Sequence, residues 1–157
     1  IKISGRANFS SSVDFKTVVQ ELCQRGCAYF VLDLSECTLM DSTFLGVLAG
    51  FGLQGKSGKC GQTSVVLELL NPNERVTELL ESLGVLQLFK LTHGPLQLPQ
   101  TAAAQAVAGA CPTKEDVRRA CLEAHETLMQ INPANASKFK EVAAFLSEDL
   151  KKARPGL

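Results

Sequence analysis

The chain has no surplus of charge of either sign. Lysine and arginine total 16 and aspartate and glutamate also total 16 among 157 residues, so no long-range attraction draws it to nucleic acid or to an anionic membrane surface. It has no apolar run near the ~20 residues that a spanning helix needs. Direct membrane insertion is therefore not expected. No signal peptide is visible, and the chain opens "IKISG" without a methionine, as a fragment would. None of its six cysteines (Cys23, Cys27, Cys37, Cys60, Cys111 and Cys121) pairs with another at C-x-x-C spacing, which removes the common zinc knuckle and the dithiol redox site. Set among apolar helical faces and strands, they read as small hydrophobes in a reducing compartment. The expected location is cytoplasmic, and neither a metal nor a cofactor is expected.

Catalytic signatures are equally scarce. G-x-S-x-G is missing, and only His93 and His125 could serve a serine nucleophile as base. His93 lies in a Pro/Gly connector, and His125 is read on the polar side of a helix, so both are expected at the surface. The chain reads as a non-enzyme.

What is present is an alternation. With 45% hydrophobic residues, the length suits one core, or a domain of about 100 residues with a small appendage. Ile1 to Ser4 is strand-like. Phe15, Val18, Val19 and Leu22 share one face of a helix over Ser11 to Arg25, with Ser11 and Asp14 placed to cap its start and Gly26 to close its end. "CAYFVLDL" has the branched and aromatic content of a strand covered on both faces. A second helix runs from Ser42 into the Gly50 to Gly55 region, with Leu45, Leu48 and Phe51 inward. "TSVVLELL" is a further strand. Asn71-Pro72 and Glu74 suggest a capped start for a helix carrying Val76, Leu79, Leu80 and Leu83, closed by Gly84. "VLQLFKL" is read as the last strand. Such alternation predicts one sheet with parallel neighbours joined by helical crossovers.

The texture then changes. Residues 93–112 contain three prolines, two glycines and "TAAAQAVAGA", a connector that could be partly helical. Beyond it, Thr113 and Asp116 form a capping pair. Val117, Cys121, Ala124, Leu128 and Ile131 make one stripe, and Phe139, Val142, Ala143, Leu146 and Leu150 make another after the "NPANAS" break. Residues 113–153 thus read as an antiparallel helical hairpin. Its basic and acidic residues nearly balance, which argues against a DNA-binding helix-turn-helix.

Two phosphate-related signals lie close together. Gly50 to Ser57 matches G-x-x-x-x-G-K-[ST], but a P-loop follows a strand and precedes a helix, and here the order is reversed. The glycines are better read as a helix end and a loop, with Lys56 and Lys59 solvated. Asp41-Ser42-Thr43 instead follows a strand and opens an apolar helix. The plain reading makes Asp41 or Ser42 an N-cap. The sharper one is a surface serine that can accept a phosphate at the positive end of the helix dipole.

"VLDLSECTLMDSTFLGVLAG" resembles the signature of STAS domains, the module of bacterial anti-sigma factor antagonists. "ISGRANFSSSVDFKTVVQEL" and "ELLNPNERVTELLESLGVLQLFKL" resemble the family's flanking elements. The resemblance implies an α/β fold, a STAS-like small mixed β-sheet flanked by α-helices, over residues 1–92, with residues 113–153 as a C-terminal α-helical hairpin extension. It implies that Ser42 is phosphorylated by an anti-sigma factor of the serine-kinase type and reset by a phosphatase. Partner contacts would then come from Asp41, Ser42, Thr43 and Phe44 together with the turn of Asn8, Ser10, Ser11 and Ser12. Phe44 stands where glycine is common, adding a ring beside that site. The family's usual first strand is absent or truncated before Ile1, leaving an open sheet edge. The hairpin is available to pack on the domain, to close a homodimer or to meet a partner. An alternative role is an accessory or scaffold subunit of a transport or signalling assembly without a phosphoswitch.

Overall fold

In the computed structural model, which describes residues 1–57, 64–97, 105–107, 109 and 111–153, each expected crossover is present. The elements in chain order are β1 (Lys2–Ala7), α1 (Phe9–Gln24), β2 (Tyr29–Met40), α2 (Ser42–Ser57), β3 (Val66–Leu70), α3 (Glu74–Ser82), β4 (Lys90–Thr92), α4 (Lys114–Ile131) and α5 (Ala136–Ala153). The strands lie side by side in the order β1-β2-β3-β4. All three pairings are parallel, as strands joined by helical crossovers require.

The sheet is staggered. β3 pairs with β2 from Tyr29 to Asp33, whereas β1 pairs with it from Asp33 to Met40. Among the described residues, the later half of β2 therefore has no strand on its β3 side, where Asn73 Nδ2 donates to the Cys37 carbonyl at 2.7 Å. That bond answers a backbone acceptor a strand would otherwise have used.

Several local readings are corrected. The cap of α1 is Asn8, whose side chain accepts from the Ser10 and Ser11 amides, while the Ser11 hydroxyl answers the Asn8 amide in a reciprocal capping box. Ser11 is thus the third residue of that box, and Asp14 lies one turn further in. Asn73, not Asn71, caps α3 through the Val76 amide. Asn71 adopts a positive φ of 54°, and its side-chain amide grips the backbone of Gly94. "VLQLFKL" is strand only at its last two residues, a 3-10 turn at Leu86–Leu88 coming before the three-residue β4. The connector shows no helix among its described residues. The Thr113–Asp116 box is formed as read.

α2 is apolar on nearly every side, and Thr43 to Ala49 are all buried. A helix hydrophobic all round must be covered all round. Phe44 packs on Phe15 of α1 with ring centroids 5.0 Å apart, and Phe51 meets Phe15 edge-on. α4 covers another flank of α2 and also packs on α1 and α5. Ala124 and Leu128 of α4 belong to the same contiguous core as Leu32, Leu45 and Leu69. Of the roles open to the hairpin, packing on its own domain is the one observed.

Candidate functional site

Parallel strands β1 and β2 end side by side, so the helices that follow them start side by side. In open α/β sheets this carboxyl edge is where binding sites are built. Asp41 joins the two starts. Its Oδ1 accepts from the Phe44 amide at 2.8 Å, and its Oδ2 accepts from the Phe9 amide at 2.7 Å. One carboxylate therefore caps α2 and anchors the first residue of α1, a favourable use of negative charge at helix N-termini. The structure thereby brings together the Asn8 to Ser12 turn and Asp41-Ser42-Thr43, which sequence reasoning placed at one site.

The choice between Asp41 and Ser42 as cap is settled by these bonds. Asp41 is the cap and Ser42 is the first helical residue, leaving its hydroxyl unused by the backbone. That hydroxyl is half-buried and lies 3.1 Å from Nε2 of His125, on α4. Next to it, Thr43 Oγ1 donates to Cys121 Sγ at 3.4 Å. Ser42 is thus not displayed freely at the surface, because α4 lies against it.

His125 corrects the expectation of a surface histidine. It is 7% exposed, and its ring stacks on Phe139 of α5 at 4.7 Å with 14° between planes. Burial lowers its pKa, since desolvation disfavours the imidazolium, while the Asp41 charge pulls it partly back. Nδ1 is buried without a hydrogen-bond partner among the described residues. His93 is exposed in the connector, as read.

The remaining expected contacts divide by burial. Phe44 is 2% exposed and Ser12 is wholly buried, so both belong to the core, with the Ser12 hydroxyl bonded to the Phe9 carbonyl. Ser10 is exposed, and Asn8 and Ser11 are half-buried. Cys121, His125 and Phe139 were not among the expected site residues. A signal for His125 existed in the sequence: it lies four residues after Cys121 and three before Leu128, inside the arc of the α4 stripe.

The P-loop-like letters fail on geometry as well as order. Gly50 to Ser57 is continuous helical backbone, whose amides bond along the helix and cannot cradle phosphates. Lys59 lies outside the described residues. Among the described residues no cluster of three or more His, Cys, Asp or Glu could hold a metal ion, and no helix is long and apolar enough to cross a membrane.

A serine beside an imidazole can act as a nucleophile–base pair only if a third group orients the ring and substrate can reach the serine. Here Nδ1 has no acid partner among the described residues, and both Asp41 oxygens are held by amides. Two cavities, one between α1, α4 and the connector and one between α1, α2 and α4, are lined by neither Ser42 nor His125.

No curated protein gives a significant match to the chain. The family profile described as the STAS domain matches residues 1–95, from β1 through β4. It spans both helix starts and Ser42 and leaves out the hairpin, and by that match the chain belongs to the STAS domain family.

Proposed function

We propose that the protein is an anti-sigma factor antagonist, a protein-binding switch set by phosphorylation of Ser42. The reading is carried by one observation: Asp41 performs the helix capping, so the Ser42 hydroxyl has no backbone duty and can be modified without uncapping α2. Unphosphorylated, the protein binds an anti-sigma factor of the serine-kinase type through Asp41, Ser42 and the rim of Asn8, Ser10 and Ser11, with buried Thr43 behind them. That partner transfers the γ-phosphoryl of ATP to Ser42 Oγ, the hydroxyl proton is released and ADP leaves. The ester adds about −1.5 to −2 charge beside Asp41, which repels and obstructs the partner. A phosphatase hydrolyses the ester with water, returning serine and inorganic phosphate.

STAS domains are generally non-enzymatic, and the unoriented Ser42–His125 pair gives this chain no reason to differ. A homodimer through the hairpin would use Val142 and Phe145, which α5 leaves exposed. Affinity capture from the source cells tests the proposal, with wild-type protein and the Ser42→Asp variant as baits. Capture of a serine-kinase-type anti-sigma factor by the wild type and its loss with Ser42→Asp is expected. Equal capture of the same transporter or scaffold proteins by both baits would replace the switch with an accessory-subunit role.

A further inference from the structure

The hairpin lies outside the family match, yet it holds the switch serine. Three contacts converge there: Ser42 with His125, Thr43 with Cys121, and Gly46 with Ala124. At the last of these a Cβ on residue 46 would meet the Ala124 carbonyl oxygen at 2.6 Å, so α4 is seated on α2 without slack one turn beyond Ser42. Only the absence of a side chain at Gly46 permits that approach. An ion pair between Lys16 of α1 and Glu123 of α4 closes the outer side.

A partner that touches the Ser42 hydroxyl must therefore take a place that α4 occupies. A phosphoryl group meets the same obstacle. At 3.1 Å the gap between Oγ and Nε2 holds a hydrogen and nothing larger. Esterified Ser42 also loses its O–H, and a dianion placed there would face the Asp41 carboxylate and a buried imidazole backed by Phe139. Between β4 and α4 run 21 residues rich in Pro, Gly and Ala, enough chain for α4 and α5 to leave without unpairing β4.

We propose that the hairpin Lys114–Ala153 is a built-in cover of the Ser42 site: docked, it competes with the partner, and phosphate on Ser42 prevents it from reseating. The inference rests on Ser42 as the phosphate acceptor. The cover sets a threshold, because a partner that binds only the open form has its apparent affinity reduced by the open fraction. It also gives the phosphorylated form an exposed serine phosphate that a phosphatase can reach.

The test is amide hydrogen exchange read by mass spectrometry on the full chain, comparing wild type with protein carrying phosphoserine installed at position 42 during translation. Exchange across α4 and α5 is expected to rise by about tenfold or more, with β2 and β3 unaltered, as for a segment that opens separately. Unaltered or slowed exchange in the hairpin would overturn the proposal, the latter showing that phosphate clamps it. A second protein, Ala124→Leu, crowds Gly46 without adding charge and should give the same pattern. If sheet and hairpin amides open together in both proteins, the hairpin is an inseparable part of the core and the proposal falls. The phosphate is installed without any kinase, so failure of the capture experiment and failure of the cover are distinguishable.

Discussion

Gly46 of α2 and Ala124 of α4 meet so closely that a methyl group at position 46 would stand 2.6 Å from both the Cβ and the carbonyl oxygen of Ala124. The obstacle includes backbone, so no side-chain rotation relieves it. Gly46→Ala gains ~1 kcal/mol of helix propensity but forces the helices apart at an overpacking cost of about 1–3 kcal/mol. A lowered melting temperature and faster exchange in α4 are expected. Unchanged melting with unchanged exchange would show that the crossing has slack.

Asp41 serves two helix starts at once. Asp41→Ala removes two charge-assisted bonds, to the Phe44 and Phe9 amides, and should cost about 2–4 kcal/mol in urea denaturation. Asp41→Asn keeps one carbonyl acceptor and should recover part of that loss. Equal stabilities of the two variants would mean that the one bond the amide can keep contributes nothing measurable.

His125 links stability to pH. Its folded pKa lies below the ordinary value of 6.5, so around that pH the unfolded chain binds more protons and stability increases with pH. The contribution is present above about 6.5 and is lost progressively as pH falls through that value. Melting temperature measured from pH 7.5 to pH 5.5 should decline, and His125→Leu should flatten that decline. A variant with the wild-type slope would remove His125 as its source. Lower in pH, Glu68 acts in the same direction: hydrogen bonds from Tyr29, then Thr92 and Lys90, hold its pKa at about 2 against an ordinary 4.5. Its contribution fades between those two values.

The hairpin turn is pinned to α3 by Asn135, which is wholly buried and whose Nδ2 donates to the carbonyls of Leu83 and Leu128, each at 2.9 Å. Asn135→Ala leaves both acceptors without that donor and should cost about 2–3 kcal/mol in thermal or urea unfolding. A loss below about 0.5 kcal/mol, the size of an ordinary surface change, would mean that water replaces the side chain.

Much of this fold was readable because its signals are local. Strand composition, the α3 and α4 stripes and the Thr113 box each depend on residues within a few positions of one another. Caps were harder where candidates stood in series: Asn8 and Ser11, or Asn71 and Asn73, offer similar oxygens, and the choice depends on where the preceding strand ends. The site was half legible. Asp41-Ser42-Thr43 announced a helix start, but Phe44 looked like a surface ring because nothing local shows that Phe15 packs on it. His125 was misplaced for the same reason. Its polarity suggested solvent, whereas a contact 83 residues away in sequence supplied its partner.

The stagger of β2 divides the sheet into units of unequal cooperativity. Asp33 alone is paired on both sides, with Lys2 and with Leu70. Tyr29 to Leu32 are laddered to β3, with the Ile1 ammonium donating to the Val31 carbonyl from the β1 side, while Cys37 to Met40 are laddered to the edge strand β1. Asp41 and Ser42 stand at the end of the half laddered to β1, with the Asp41 amide bonded to the Ala7 carbonyl, so the start of α2 is tied to the edge strand rather than to the β2–β3–β4 ladder.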